Sequence, residues 1–312
     1  MEHQSLLEKS ILTTICYFDI FDYPLTLVEI WKWLFMKDWN PQEKVDLTAL
    51  HKILDQSAYL KKNIDSRSGF YFLKGRQKTV EIRKERYNIA EVKFRKAQKI
   101  IRLLRLIPFV KMIAICNTLA ISNSRRRADI DLFIITKHNR VWQTRFWTTG
   151  FLKLFGLRPL PNKTQDTFCA SFFIDENNLN LNKIAIKDDV YLPYWISQVY
   201  PIYDEGIYKK FVQENQWVRD ELQNSLFVRP TARRKVNAVP LIKQVLSPFC
   251  RLLPEQIFKH FQLKIMPARL KALANKDSRV IIQDHMLKFH DIDRRDEFKK
   301  LFYQKLADTS NE

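Results

Sequence analysis

The sequence predicts a mixed α+β protein (mixed α/β in its central part). Three observations support this class. Apolar residues recur at helical spacing early in the chain and precede a short hairpin pattern, after Pro108 apolar strand-like runs alternate with helical segments, and the C-terminal part again has helical spacing. These changes of pattern place domain boundaries at residues 1–75, 76–107, 108–228 and 229–312.

Helix signals dominate the first 75 residues. The segments 5–18 and 46–56 have helical spacing, and the stretch "TLVE" predicts a capping box between Thr26 and Glu29 at the start of another helix. We expect strands at residues 58–64 and 69–75, separated by the turn "DSRSG". Three helices followed by a hairpin predict a winged-helix-like domain.

The third helix of this domain is the element that reads DNA in many winged helices. Here it offers only His51 and Lys52 as base-reading candidates, while Asp46 and Asp55 would oppose phosphate. Binding of nucleic acid by this domain therefore stays open.

A basic helix is predicted to connect the first and second domains. Residues 74–105 contain 12 Lys or Arg and 3 Glu. One side of this segment is apolar at helical spacing and is expected to pack. The apolar positions are Val80, Tyr87, Ala90, Phe94, Ala97 and Ile101.

The composition of the whole chain is strongly basic. Among its 312 residues, 53 are Lys or Arg and 34 are Asp or Glu, which gives a formal net charge of +19. This excess favours a polyanionic partner, either nucleic acid or an anionic membrane surface. Only 5 glycines are present, which argues against a glycine-rich nucleotide loop.

Cysteine spacing and hydropathy limit the class of protein further. The four cysteines are far apart, so we expect free thiols rather than a disulfide framework or a zinc site. No uninterrupted apolar run reaches the ~18 residues of a membrane-spanning helix. The N-terminus does not resemble a signal peptide, so a cytoplasmic location is expected.

Two aspartates open an apolar strand in the central domain. Strands are predicted at residues 109–115, 129–136 and 166–175. Because strand residues two apart point to the same side, Asp129 and Asp131 are expected to project together. Neighbouring carboxylates repel each other, and a hard divalent cation such as Mg²⁺ relieves that repulsion. The alternative is that both residues only cap the turn before the strand.

The layout around these aspartates resembles the polymerase-beta-like nucleotidyltransferase superfamily. In that superfamily a strand ends in a Gly-Ser pair, and an Asp-x-Asp strand follows after a loop. Asn117 and Thr118 stand at the Gly-Ser positions here, and the loop is "LAISNSRRRA". Through "FDIFDYPLT", "GFYFLKGR" and "DIDLFIIT", the whole chain also resembles a bacterial group that combines a winged-helix N-terminus, a nucleotidyltransferase domain and a helical C-terminal part.

The resemblance implies Mg²⁺-dependent transfer of a nucleoside monophosphate from a nucleoside triphosphate to an acceptor hydroxyl. The central domain would be a small mixed sheet with flanking helices, and Asp129 and Asp131 would be the catalytic metal ligands. The acceptor, whether a small molecule, a protein side chain or RNA, stays open, as does the oligomeric state. The nucleotide-binding positions that the resemblance implies are Asn117, Thr118, Ser122 and Arg127, with Arg125 and Arg126 beside them.

Two departures from the superfamily pattern support an alternative function. First, Asn117 replaces the glycine. Second, active members of the superfamily usually carry a third carboxylate in the middle of the next strand. The candidate for this metal ligand here is Asp175, which stands at the end of that strand. The alternative is a non-enzymatic nucleic-acid-binding or regulatory module on a degenerate nucleotidyltransferase fold.

Two C-terminal segments are also predicted from their patterns. The basic amphipathic pair at residues 241–265, interrupted by Pro248 and Pro254, is expected to pack on the central domain rather than to rest on a membrane surface. The acidic and histidine-containing stretch at 284–293, which includes His285 and His290, is interpreted as solvated helix ends rather than a transition-metal site.

Overall fold

The computed structural model describes residues 2–36, 45–160, 162–225, 227–236 and 241–311. It confirms the mixed α+β class, with helices around a three-stranded sheet and a six-stranded sheet. Among the described helices, none combines the length and the apolar composition needed to cross a bilayer.

The described part of the N-terminal unit, residues 2–36 and 45–75, contains four helices and three short strands. Its elements are α1 (Glu2–Asp19), β1 (Leu25–Thr26), α2 (Leu27–Lys32), α3 (Leu47–Gln56), α4 (Ala58–Asn63), β2 (Ile64–Arg67) and β3 (Phe70–Leu73). The strand order is β1-β3-β2, and all pairs are antiparallel. The predicted capping box is present, since Thr26 and Glu29 exchange side-chain and backbone hydrogen bonds.

The strand predicted at residues 58–64 is wrong over most of its length. Ser57 caps a helix there, because its Oγ accepts a hydrogen bond from the Leu60 N–H at 3.1 Å. Only Ile64 belongs to the hairpin strand. The hairpin turns at Ser68 and Gly69, whose φ values of 55° and 77° are those of a two-residue turn with both central residues left-handed.

The remaining elements form the central and C-terminal parts. They are α5 (Thr79–Leu104), β4 (Val110–Ile115), α6 (Asn117–Ala120), β5 (Ile130–Thr136), α7 (Val141–Leu154), β6 (Phe168–Asp175), α8 (Tyr191–Gln198), β7 (Tyr200–Asp204), α9 (Ile207–Glu214), α10 (Leu241–Arg251), α11 (Glu255–Ile265), α12 (Ala268–Leu273), β8 (Val280–Ile282), β9 (Met286–Phe289) and α13 (Arg295–Asn311). Three short 3₁₀ helices lie at residues 182–184, 216–220 and 232–234.

The central sheet has the strand order β7-β4-β5-β6-β9-β8, in which β5 and β6 run parallel and the other described pairs are antiparallel. The three predicted strands β4, β5 and β6 are confirmed. Strand β7 lies partly in a segment that was expected to be wholly helical. The C-terminal region is mainly helical, as predicted, but it also adds the β8–β9 hairpin to the sheet, so the sheet extends across the predicted boundary at residue 229.

Each face of the central sheet is covered by a different set of helices. On one face, Phe133 and Ile135 of β5 belong to a core that includes α1, α8 and α13. On the other face, Leu132 and Ile134 belong to a core that includes α5, α7 and α11. The N-terminal unit therefore packs directly on the central sheet and shares its core.

Ion pairs join the basic helix α5 to the N-terminal unit. The guanidinium of Arg83 donates to both carboxylate oxygens of Glu29 at 2.7 and 2.8 Å, and Tyr23 Oη donates to Glu29 at 2.9 Å. Arg86 donates to Asp22 at 2.8 Å. Part of the charged face of α5 thus forms ion pairs within the molecule.

The first prediction concerns Glu29. Replacing it with Ala leaves the half-buried Arg83 without its carboxylate partner and removes the side-chain bond from Glu29 to the Thr26 N–H, so Glu29→Ala should lower the free energy of unfolding by about 3 kcal/mol. Urea denaturation measures the loss. Glu81→Ala, which removes an exposed carboxylate on α5, should cost less than ~1 kcal/mol.

The same carboxylate should contribute to the pH dependence of stability. Burial alone would raise the pKa of Glu29, but the hydrogen bonds and charge of Arg83 hold it below its ordinary value. The stabilisation that the ionised Glu29 carboxylate gives the folded protein is therefore present above the unfolded-state pKa of ~4.3. It is lost as the pH falls through the lower folded-state pKa. Equal losses for Glu29→Ala and Glu81→Ala at pH 7 would contradict this account.

Candidate functional site

A cleft of about 600 Å³ lies where the N-terminal unit, the central sheet and the segment 288–301 meet. Phe21 contributes from the N-terminal unit, Asp131 from β5 and Phe298 from α13. Its size is in the ~300–1,000 Å³ range of small-molecule sites. The packing of the N-terminal unit on the sheet therefore creates the cleft.

Both aspartates line this cleft, as their spacing predicts. Asp129 directly precedes β5, and Asp131 is the second residue of the strand. Residues alternate in direction along a strand, so both share the face of Phe133, which is the face covered by the N-terminal unit. Ligand atoms of Asp129, Asp131 and Cys169 all lie within 4.8 Å of one another. The structure thus assembles a compact group of two carboxylates and a thiol.

The electrostatics of the pair favour a bound cation. Burial and the neighbouring charge of Asp129 raise the pKa of Asp131 to about 7, and burial also raises the pKa of Asp129. Lys93 lowers both pKa values, but its ammonium donates to the Ala128 carbonyl and lies 3.6 Å from Asp166. The carboxylates are therefore incompletely compensated by the side chains around them.

Asn117 holds Asp131 in place. Its φ of 57° lies in the left-handed region, which Asn tolerates better than most residues and which suits a position occupied by glycine in the resembling superfamily. Its Nδ2 donates to Asp131 Oδ2 at 2.7 Å, and its Oδ1 accepts from Trp195 Nε1 at 2.9 Å. The amide is thus oriented by Trp195 and in turn orients one carboxylate oxygen.

The prediction that Asp175 completes the metal site is wrong. In the parallel β5–β6 pair, Asp131 lies beside Cys169, and Asp175 is six residues further along, about 20 Å away. Asp175 Oδ2 lies 2.9 Å from His138 Nδ1, and its other oxygen accepts from the Asn178 side chain. Asp175 stabilises the opposite end of the sheet.

Cys169 stands where a third ligand would be. Burial and the charge of Asp131 raise the pKa of its thiol to about 12, so the sulfur stays protonated near neutral pH. A protonated thiol is neither a general base nor a ligand for a hard cation. Two carboxylates are consequently the strong ligands that this group offers.

The predicted nucleotide-binding residues separate into two sets. Asn117 and Thr118 line the cleft. Ser122 instead accepts a hydrogen bond from Arg234 at 3.3 Å, and Arg127 is exposed outside the residues that line the cleft. Arg125 lines the cleft in place of Arg127.

Arg86 is a further cleft cation that the motif does not include. It lines the cleft from α5 and is fixed there, since it donates to the Phe21 carbonyl at 2.7 Å and to Asp22. Arg125 is 70% exposed and lies 3.8 Å from Asp22, so its side chain is free to turn toward a bound anion. Beside the aspartates the cleft therefore has an anchored cation in Arg86 and an adaptable one in Arg125, while Lys288, Arg294 and Arg295 line its C-terminal wall and pair with carboxylates there.

The segment interpreted as solvated helix ends forms a wall of the cleft instead. His290 is half-buried, and its Nε2 lies 2.9 Å from Ser171 Oγ. Arg295 pairs with Asp293 and Asp189, at 2.8 Å each. Burial and nearby positive charge lower the pKa of His290 to about 3, so the ring is neutral. The apolar residues in "MLKF", the sequence of β9, are the local signal that favours a buried strand here.

Comparison of this chain with protein-family models, with curated proteins and with solved structures finds no match.

The second prediction is that Asp131 makes the free energy of unfolding depend on pH when no metal is added. A carboxyl group with a raised folded-state pKa makes the protein lose stability as the pH rises from the unfolded-state pKa of ~3.9 to about 7. Asp131→Asn removes this loss, so at pH 8 it should be more stable than the unsubstituted protein by about 2 kcal/mol. The difference should shrink toward pH 4.

Thermal unfolding across this pH range, in a buffer with chelator, measures the effect. Asp65→Asn, which changes an exposed aspartate of β2, is the matched control and should change stability little at any pH. A pH dependence that Asp131→Asn leaves unaltered would contradict the burial of a repelling carboxylate pair.

Proposed function

We propose that this protein is a Mg²⁺-dependent nucleotidyltransferase that binds a nucleoside triphosphate in the cleft. An acceptor hydroxyl would lose its proton and bond to the α-phosphorus, while the bond between the α- and β-phosphates breaks and pyrophosphate leaves. One observation carries the proposal: Asp129 and Asp131 share one face of β5 inside the cleft, next to the strand-to-helix turn at Asn117 and Thr118. That arrangement is the one that the superfamily resemblance implies for the metal–nucleotide site.

The donor set fits Mg²⁺. Carboxylate oxygens are hard ligands, and the two raised pKa values mark a pair that gains stability from a nearby positive charge. The Cys169 sulfur is the softer donor of the group, and the two carboxylates supply the hard oxygen ligands that Mg²⁺ prefers. When bound, Mg²⁺ would neutralise phosphate charge and polarise the phosphoryl group that is transferred.

The cleft's own side chains would position the triphosphate. Thr118 lines the same cleft as the carboxylates, and Arg125 can turn from Asp22 toward a phosphate. Arg86 would add positive potential without moving, because two hydrogen bonds to the turn after α1 fix it. Arg125 and Arg86 would thus contribute to phosphate binding as one flexible and one fixed arginine.

The aromatic wall of the cleft, where the Tyr191 hydroxyl donates to Asn117 at 3.2 Å, would hold the remainder of the ligands. Tyr191 and Phe298 line it as a stacked pair with ring centroids 5.2 Å apart, and the guanidinium of Arg294 lies 4.8 Å above Phe298. Flat aromatic and guanidinium groups favour stacking with a nucleobase or another planar group.

A second candidate function is nucleotide binding without transfer. It is favoured by Cys169, since the position beside Asp131 in β6 has a protonated thiol where active members of the superfamily are expected to carry a carboxylate. Bound nucleotide would then regulate another activity, for example nucleic-acid binding through the exposed helix α3 with His51 and Lys52.

The third prediction tests the binding site. Calorimetric titration with ATP, GTP, CTP and UTP should show binding of at least one nucleotide that depends on Mg²⁺. The Asp129→Asn, Asp131→Asn double variant should bind it more than about tenfold more weakly, because both ligands lose their charge. Asp291→Asn changes a third cleft carboxylate, which pairs with Arg269, and should bind normally. Absence of binding for all four nucleotides would refute the proposed function.

The fourth prediction separates transfer from binding alone. If the chain is a transferase limited by its missing carboxylate, Cys169→Asp should raise the transfer of α-phosphate label from the bound nucleotide, by about 100-fold for a restored general base. Cys169→Ser is the control and should not. Mg²⁺-dependent binding without label transfer in either protein would support the regulatory candidate.

A further inference from the structure

Helix α10 has its amphipathic faces reversed. A surface helix normally turns its apolar side to the core. Here Lys243 is buried and pairs with Glu205, while Leu241 and Phe249 are 78% and 67% exposed. Val245, one turn from each of these, is also exposed. The apolar side of this helix therefore points away from the protein.

Helix α11 is packed on one side only. Phe258 contacts Phe146 of α7 with ring centroids 5.2 Å apart, and Gln262 Nε2 donates to the Trp142 carbonyl at 2.8 Å. The adjacent strip of Ile257, Phe261 and Ile265 is exposed. The expectation that residues 241–265 pack on the central domain is thus met by the inner side of α11 but not by the apolar side of α10.

These two strips are joined along the chain. Leu252 and Leu253, between the helices, are also exposed, so large apolar side chains are accessible at intervals from residue 241 to residue 265. We call this set the C-terminal apolar stripe; its members are Leu241, Val245, Phe249, Leu252, Leu253, Ile257, Phe261 and Ile265. Apolar surface of this extent generally marks an interaction site.

The charge around the stripe selects the partner. Residues 241–276 contain seven Lys or Arg and one acidic residue, Glu255. Three of the seven pair with carboxylates from outside this range, namely Lys243, Lys259 and Arg269. The carboxylate of Glu255 faces inward and accepts from the Trp142 N–H at 2.6 Å. The side chains of Arg251, Lys264 and Lys271 are exposed. The surface thus combines apolar side chains with positive charge.

That combination disfavours two other occupants. A second copy of this chain would bring an equally basic segment against the first, and like charges repel. A nucleic acid would satisfy the charge but would leave the leucine and isoleucine side chains without apolar contact. An anionic lipid surface offers both negative headgroups and an apolar layer.

We propose that the C-terminal apolar stripe inserts into the headgroup region of an anionic phospholipid membrane, with α10 and α11 lying along the surface. Arg251, Lys264 and Lys271 contact the headgroups, and the apolar side chains enter the acyl boundary. The attachment is peripheral. This proposal is independent of the nucleotide proposed for the cleft, since it rests on other residues.

Vesicle co-sedimentation of the full chain tests it. The protein is mixed with vesicles of phosphatidylcholine and phosphatidylserine, or with vesicles of phosphatidylcholine alone. Two stripe variants are compared, Val245→Glu with Phe249→Glu in α10 and Ile257→Glu with Phe261→Glu in α11. The matched control is Val92→Glu with Leu103→Glu, which adds the same charge at exposed apolar positions of α5.

The expected result is sedimentation with the phosphatidylserine vesicles and not with phosphatidylcholine alone. Each stripe variant should partition onto the anionic vesicles at least about tenfold more weakly. In each variant, two apolar side chains that would move from water into the membrane are replaced by glutamates. The control should sediment nearly as the unsubstituted protein does.

Three results would overturn the proposal. One is no sedimentation with the anionic vesicles. Another is sedimentation that the control weakens as much as the stripe variants do, which would reflect net charge alone. The last is a dimer in sedimentation-velocity runs that the stripe variants dissociate, which would assign the stripe to a second copy of the chain.

Discussion

The coverage of strand β5 on both faces is the constraint on which the site depends. Phe133 and Ile135 are buried on one face and Leu132 and Ile134 on the other, so the strand cannot shift by one residue without moving apolar side chains to the wrong core. This register directs Asp131 toward the N-terminal unit. The position of the carboxylates is therefore a consequence of core packing, and their repulsion is tolerated rather than relieved by the fold.

The N-terminal unit closes the site from the other side. The turn after α1 binds Arg86 through Asp22 and the Phe21 carbonyl, and Asn123 of the loop before β5 also donates to that carbonyl at 2.9 Å. These contacts join the first domain, α5 and the motif loop around one turn. Several arginines of the basic helix are thus engaged within the molecule, and the net charge of +19 overstates what α5 offers to a partner.

Local patterns predicted much of the fold and half of the site. The capping box at Thr26, the apolar runs of β4 to β6 and the paired direction of Asp129 and Asp131 follow from neighbouring residues alone. Strands β7, β8 and β9 have five, three and four residues and depend on pairing with distant strands. Short runs of this kind are hard to distinguish from helix by periodicity.

Other features of the site depend on contacts between distant segments, which local sequence patterns do not predict. Whether Cys169 or Asp175 stands beside Asp131 depends on the register of β6 against β5, which includes a shift between Leu132 and Phe133. The hydrogen bonds of Asn117 with Trp195 and of His290 with Ser171 likewise join residues far apart along the chain. In α10, the helical pattern is correct, but its orientation is set by the pairing of Lys243 with Glu205.

The central claim is that the two carboxylates bind a metal together with a nucleotide. A crystal structure of the full chain with Mn²⁺ and a non-hydrolysable nucleoside triphosphate analogue tests it most directly, because Mn²⁺ is located by its anomalous scattering. We expect an anomalous peak bridging Asp129 and Asp131, with triphosphate density reaching Thr118 and Arg125. Nucleotide bound elsewhere, or a cleft with no anomalous peak at metal concentrations that saturate binding in solution, would contradict the account.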